Sequence, residues 1–476
     1  GFTHVLLLGM GGSSLAAEVL SLSFRGIAEG LNLSILDSTD PRQVKFSLEN
    51  NPSGKTIFIV SSKSGGTTEV QAFLSYFYNQ MREFAGDQAG KYFIAITDPD
   101  TELARQAKDL NFRKIIYADP TVGGRFSALT AFGLVPAALM GIELVTFLSK
   151  TKEFINFCRP GIPSGRNPAL VLGSIMAEAA MMGKDKLTII AEEPFRSFGS
   201  WLEQLVAESS GKNGKGIIPI DIEPFVPIQH YSDDRFYIYL KNDGIFEENI
   251  HTLLTTGHPV ITYKINDPYD IGAEFYRWEL AIAVTCAILQ INTFDQPDVQ
   301  DNKNRTKQKE TDFKNLKKFE FGKPYFSNDQ FDVYSSVELN AQNSENILHI
   351  IDSFLDHQMK GDYIAINAYL PKLVKIEKQL QDFRRSLLIK TGKATTLGFG
   401  PRFLHSTGQL HKGGPDKGLF IQIIDESNID FDIPGMGITF KNLLTAQALG
   451  DYEALLSRGK KIILIHLKKT EISDLW

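Results

Sequence analysis

The chain has 476 residues, 43% of them hydrophobic and 22% charged, with a formal net charge of −6. That length points to two or three domains with ample core, and the acidic balance argues against a nucleic-acid partner, so any affinity for phosphate must be local. Only Cys158 and Cys286 occur, both in apolar surroundings, which excludes a disulfide scaffold and fits a reducing, cytoplasmic compartment.

The chain opens directly on an apolar run at 5–8, with no lead-in helix and no signal peptide, as expected of a piece of a longer polypeptide. Further strand-length apolar runs stand at 33–36, 56–60, 93–97 and 115–117, separated by helical patterns. Strands alternating with helices build βαβ units and a parallel sheet. The turns after these strands are rich in Gly, Ser and Thr, so they fall at the carboxyl ends, where open α/β sheets bind ligands. Residues 126–148 are almost uncharged, but Pro136, Glu143 and the Gly-Gly-Arg loop just before them predict a buried helix pair, not a membrane span. A second set of strands at 187–191, 236–240 and 260–265, with helices near 200–208 and 274–290, predicts a second α/β lobe. Residues 302–323, rich in Lys, Asn and Asp, read as a linker or an exposed helix. Strands at 363–367, 419–424 and 462–466 and helices near 373–388 and 440–457 close the chain. The expected fold is therefore α/β: parallel-sheet lobes over 1–160 and 161–305, a linker at 306–325 and a smaller C-terminal α/β domain over 326–476.

Four segments carry chemistry. In GMGGSS, at 9–14, Gly11 and Gly12 permit close backbone approach, the following helix offers free N–H groups, and Ser13 adds a hydroxyl. A tight strand–helix turn or a dinucleotide loop would look similar, although no G-x-G-x-x-G is completed. The run SSKSGGTTE, at 61–69, is sharper: Ser62, Lys63, Ser64 and Thr67 supply more hydroxyls and amides than an N-cap needs and suit the three oxygens of a phosphate. In VGGRFS, at 122–127, Gly124 precedes Arg125, whose guanidinium suits a developing enolate-like oxygen, the reading favoured over a helix cap or a pair with a surface acid. Glu208, in QLVAESSGK at 204–212, ends an apolar helical face, where a partly buried carboxylate can move a proton next to a carbonyl. A fifth run, FDQPDVQDNK at 294–303, sets Gln296 and Lys303 two helical turns apart and is weak alone. No histidine–carboxylate cluster has metal-ligand spacing.

Taken in order, these five segments resemble the signatures of the phosphoglucose isomerase family over residues 1–305. The stretch GFGPRFLHSTGQLHKGGP, at 398–415, resembles the isomerase half of transaldolase–glucose-6-phosphate isomerase fusions. The resemblance implies two sugar-isomerase lobes and interconversion of glucose 6-phosphate and fructose 6-phosphate through a cis-enediolate, without metal or organic cofactor. It implies that Glu208 moves the proton, Arg125 stabilises the enediolate, and Ser13, Ser62, Lys63, Ser64 and Thr67 hold the phosphorylated substrate between the Gly12 and Gly124 turns. Gln204 and Gln296 would hydrogen-bond it and Lys303 would assist ring opening. It implies a fused transaldolase domain upstream and admits a homo-oligomer. Mannose 6-phosphate as a second substrate is one alternative, and a non-catalytic sugar-phosphate sensor another, which the joint presence of Glu208, Arg125 and Lys303 disfavours. One departure stands out. The family's ring-opening histidine lies between the glutamate and the Gln/Lys segment, often reaching a neighbouring subunit's site. Here His230, His251 and His258 fall in that interval. His230 is about the right distance from Glu208, though its surroundings do not match the motif. His405 and His411 offer a second route, from a C-terminal loop folded over the site.

Overall fold

A computed structural model describes residues 1–340 and 346–468. The first apolar runs form β1 (His4–Gly9), β2 (Asn32–Leu36), β3 (Thr56–Ser61), β4 (Phe93–Thr97) and β5 (Lys114–Tyr117), a wholly parallel sheet in the order β2-β1-β3-β4-β5. β1, β3 and β4 are buried along nearly their whole length, the continuous apolar character expected when helices cover both faces. The chain leaves β1 toward one edge and returns past it to β3, so the strand order reverses between β1 and β3. The crevice beyond the carboxyl ends of those two strands is where such a sheet binds ligands.

A second parallel sheet repeats the pattern with β6 (Lys186–Ala191), β7 (Ile218–Asp221), β8 (Arg235–Lys241) and β9 (Val260–Lys264), ordered β7-β6-β8-β9. β7 was not expected, because Pro219 interrupts a run of only four residues; it is tolerated because β7 is an edge strand. Between the sheets run the Leu15–Ser23 and Phe198–Ser210 helices, whose Leu15, Val19, Trp201, Leu202 and Leu205 share one core cluster.

The expected buried helix pair is two helices, Ala131–Leu139 and Leu144–Asn156. The second is buried on one side only: Phe147 and Thr151 point inward while Val145 is 76% exposed. Among the described residues, no helix is long and apolar enough to cross a membrane. Of the two readings of 302–323, the chain takes the helix: Val299–Leu316 packs along Phe440–Ser457, with ion pairs Arg458–Asp301 at 2.6 Å and Lys309–Glu453 at 2.5 Å. The expected linker is therefore helical as far as Leu316.

The C-terminal sheet has six strands, in the order β10-β11-β15-β14-β12-β13, from β10 (Phe326–Ser327), β11 (Phe331–Ser335), β12 (Tyr363–Tyr369), β13 (Ala394–Phe399), β14 (Gly418–Asp425) and β15 (Lys461–Leu467). β12 to β15 are mutually parallel, and β10 and β11 add an antiparallel edge. This unit is bolted onto both lobes. Arg402 pairs with Glu18 and, at 2.8 Å, with Asp37. Arg42 forks onto Asp425 with bonds of 2.6 and 2.7 Å, and Arg384 donates to the carbonyls of Asp221 and Ile222 at 2.9 and 3.0 Å. Planar guanidinium forks of this kind fix orientation as well as distance.

Candidate functional site

The first crest is built from two turns at the reversal of the first sheet. β3 runs out at Ser61, and the next residues lead into the Thr68–Ala85 helix, with Thr67 as its N-cap. Thr67 makes no side-chain cap bond; its hydroxyl lies 3.1 Å from that of Ser62. The Thr67 side chain thus leaves the helix N-terminal amides uncapped, beside two hydroxyls bonded to each other, the arrangement that favours an anion. Lys63 turns outward to Asp98, at 2.7 Å, so within the loop it contributes backbone. Ser64 is exposed at the rim. Ser13 lies across the crevice, its carbonyl accepting from Ser61 Oγ at 2.7 Å.

Two glycines let the walls approach. A Cβ on Gly12 would stand 2.2 Å from the carbonyl oxygen of Gly124, so the GMGGSS turn and the arginine turn fit only without a side chain. Gly11 has φ +53°, and a Cβ there would stand 2.7 Å from the His405 carbonyl oxygen.

Glu208 occupies the last turn of the Phe198–Ser210 helix and is 5% exposed. Gln296 Nε2 donates to Glu208 Oε2 at 2.6 Å and Arg125 Nη1 to the same oxygen at 3.4 Å; Gln204, one turn earlier, donates to Oε1 at 3.4 Å. Burial pushes the Glu208 carboxyl above the usual carboxylate range, and Arg125 opposes that shift. Arg125 is itself buried and braced: Nε donates to Ser209 Oγ at 2.9 Å and Nη2 to the carbonyls of Thr293 and Asp295. Burial lowers its pKa, with Glu208 opposing.

The third wall comes from the C-terminal unit. His405 ends a short 3-10 turn, Arg402–His405, fixed by the Arg402 ion pairs. Its carbonyl accepts from Gln204 Nε2 at 2.7 Å, and its ring Nε2 lies 3.0 Å from Glu69 Oε1. Burial alone would raise the Glu69 carboxyl, but the charge and hydrogen bond of His405 hold it below its ordinary value. The Gly408–Gly413 helix steadies the Gln296 segment, since Gln409 donates to Asp298 Oδ2 at 2.7 Å and accepts from the Asp298 amide at 3.0 Å.

The structure therefore gathers Gly12, Ser13, Ser62, Thr67, Gly124, Arg125, Gln204, Glu208, Gln296 and His405 around one crevice. It does not bring His230 or His411 there. His230 sits in the short turn Ile228–His230 against the Val374–Thr391 helix, with its carbonyl beside Gly392. Its distance from Glu208 along the chain misled, because a β-strand and its return loop carry it to the far side of the second lobe. His411 faces into the core of the third unit, edge-on to Phe420 at 5.0 Å, and burial drives its pKa well down. Lys303 is exposed on the Val299–Leu316 helix, close enough to Glu69 for its charge to help lower that carboxyl. Glu69 is the residue whose partnership sequence reasoning missed. It lies inside the SSKSGGTTE run, but its histidine is 336 residues away.

The family model described as phosphoglucose isomerase matches residues 1–218. A glucose-6-phosphate isomerase of Prochlorococcus marinus (strain MIT 9211) is 27% identical over 389 residues, covering 74% of this chain and 72% of the relative. That of strain MIT 9215 is 26% identical over 346 residues; the match covers 63% of this chain and 64% of the relative, less than two thirds of its length. A probable glucose-6-phosphate isomerase of Methanococcus maripaludis is 28% identical over 341 residues, covering 63% of this chain and 76% of the relative. Among solved structures, a glucose-6-phosphate isomerase from Chlamydia trachomatis superposes with a TM-score of 0.53 at 19% identity, over 64% of this chain and 69% of that one. This is a likeness of fold.

Proposed function

We infer that the chain belongs to the phosphoglucose isomerase family, and from that premise that it interconverts glucose 6-phosphate and fructose 6-phosphate. The observation that carries the reading is Glu208: a buried carboxylate with a raised pKa, touched by Arg125, Gln204 and Gln296, beneath a hydroxyl-lined helix N-terminus.

The chemistry follows from the placement. The loop Ser62–Thr67 and Ser13 take the phosphate, which fixes C1 and C2 over Glu208. The ring opens first, with His405 moving the proton between the ring oxygen and the C1 hydroxyl while Glu69 orients its imidazole; Lys303 adds positive charge at that end. Glu208 then removes the proton from C2 and returns it to C1. Arg125 stabilises the negative charge that develops on the enediolate oxygens. Burial places Glu208 nearer neutrality than a free carboxyl, which suits a group that must both take and give a proton. His405 reaches Glu69 within one chain, so ring opening by this route requires no second subunit even where the protein assembles as a homo-oligomer. The size of the native protein tests that assembly and the upstream transaldolase unit alike. We take the sheets as three units, over 1–160, 161–305 and 326–476. Two buried free cysteines suit a cytoplasmic setting.

A coupled assay with glucose 6-phosphate, fructose 6-phosphate and mannose 6-phosphate tests the reading. Turnover of the first two with solvent-proton exchange supports it, and mannose 6-phosphate turnover would widen it to a dual isomerase. Binding of all three without exchange would make the protein a sensor.

A further inference from the structure

Behind His405 and Glu69 lies a polar chain that crosses from the third unit back into the first lobe. Gln447, on the Phe440–Ser457 helix, is 2% exposed. Its Nε2 donates to Glu69 Oε1 at 2.7 Å, the same oxygen that lies 3.0 Å from His405 Nε2. Its Oε1 accepts from Thr39 Oγ1 at 2.7 Å. Thr39 is fully buried and follows β2 in the first lobe. A carboxamide has a donor end and an acceptor end. An ionised carboxylate only accepts, so the amide's N–H must face Glu69, and its oxygen is left to the Thr39 hydroxyl, which donates to it. The bond joins residues 378 positions apart.

Resting on the isomerase reading, we propose that Gln447 is a positioning residue for ring opening: it pins the Glu69 carboxylate so that His405 presents its imidazole to the ring oxygen of the cyclic sugar phosphate. Gln447 itself touches no reacting atom. The third unit then contributes more than the histidine, because one of its long helices also fixes the histidine's partner.

The arrangement has a selective consequence. Opening the ring and moving the C2 proton use different residues, so loosening Gln447 affects only substrates that must be opened. It also has a pH consequence. A hydrogen bond to an ionised carboxylate favours the ionised form, so its loss raises the pKa of Glu69. The other titratable groups facing Glu69 are His405 and Lys303, with Glu310 and Tyr369 within electrostatic reach, and Glu208 stands across the crevice from His405. All of them are still present when Gln447 is replaced, so the change in hydrogen bonding at Glu69 is the difference the profile reads.

The test compares Gln447→Leu with wild type on two substrates. One is glucose 6-phosphate. The other is 5-deoxyfructose 6-phosphate, which lacks the hydroxyl that closes its ring, read as solvent-deuterium exchange at C1. The expected result is a loss of about tenfold in kcat/KM on glucose 6-phosphate, with the acid limb of its pH profile displaced to higher pH. Exchange on the acyclic ketose stays within twofold. The double variant His405→Ala/Gln447→Leu should be no slower on glucose 6-phosphate than His405→Ala alone, because the two act as a unit. Thr39→Val deletes only the far hydroxyl and keeps the residue's shape. It should show the same selectivity at about two- to tenfold, and it serves if Gln447→Leu does not fold. Equal losses on both substrates, or none on either, would overturn the role of Gln447 and leave the isomerase intact. A wild type that turns over neither substrate would instead remove the isomerase reading, and this inference with it.

Discussion

The two lobes are the same idea carried out twice, with opposite results at the crest. In each, the strand order reverses beside the first strand, between β1 and β3 in one sheet and between β6 and β8 in the other. Each therefore gathers backbone amides beyond two adjacent carboxyl ends. In the second lobe the protein supplies its own anion. Glu192, immediately after β6, accepts from the amides of Asn242 and Gly244 at 2.7 and 2.8 Å, from Phe246 at 3.4 Å and from the Tyr239 hydroxyl. In the first lobe the hydroxyls of Ser62 and Thr67 meet each other, and Ser64 meets a backbone amide. A fold that makes anion nests twice has thus filled one with a side chain and, in the function we propose, keeps the other for substrate. Topology alone does not locate the site; the fate of the donors does.

The sharpest way to break the comparison is to disable the chemistry under the first crest and leave both nests intact. Glu208→Gln should lower kcat by roughly 10²–10⁴-fold or more, since an amide cannot shuttle a proton, while sugar-phosphate binding stays near wild type. Solvent-tritium incorporation into substrate should vanish with it; turnover within a few-fold of wild type would take Glu208 out of its role. Next in size is Arg125→Lys. It keeps a charge but loses the planar fork that reaches Glu208, Ser209 and Thr293 together. We expect a loss on the order of 10²-fold, larger in kcat than in KM. A hydroxamate or aldonate mimic of the enediolate should bind more weakly, and unchanged mimic affinity would make Arg125 structural.

The first crest can also be blunted directly. Ser62→Ala with Thr67→Ala removes two donors to charged oxygens, each worth about 1.5–3 kcal/mol. KM should rise with little change in kcat, and inorganic phosphate should lose its competition with substrate. Phosphate inhibition undiminished in the double variant would place the anion elsewhere.

How much of this was legible beforehand follows from the range of each interaction. The strands of the first sheet were readable because their apolar runs are continuous and bounded by Gly and Ser. β7 was not, because Pro219 splits its four residues, and neither was β13, whose Ala394-Thr395-Thr396 start looks like a loop. The phosphate loop, Arg125 and Glu208 each announced themselves within a few residues. His405 stood out only as a second route beside His411, and its pairing with Glu69 did not show at all, because a spacing argument has no purchase on a pair joined through two separate sheets. His230 drew attention by the opposite error: nearness in sequence was taken as nearness in space.

The smallest effect tests the filled nest. Glu192→Gln keeps the shape but turns an NH2 group toward backbone donors, so one accepting oxygen is replaced by a donor that faces other donors. The expected cost is about 1–3 kcal/mol in folding stability, with kcat and KM unchanged, because the second crest binds no substrate in this reading. The pH dependence sharpens it. Burial alone would raise the Glu192 carboxyl, but the Tyr239 hydroxyl and the backbone amides of Gly244, Asn242 and Phe246 hold it below its ordinary value. A carboxyl depressed in the folded state stabilises the fold above its unfolded pKa, and that contribution is lost as pH falls through the folded pKa. Urea midpoints for wild type and Glu192→Gln should therefore be well separated at neutral pH and converge on acidification below about pH 4.5, the ordinary glutamate value. A constant gap down to pH 3 would mean that Glu192 acts through packing and not as the resident anion of the second crest. A rise in KM for glucose 6-phosphate would mean that the second crest takes part in binding, and that the contrast between the lobes has been drawn too strongly.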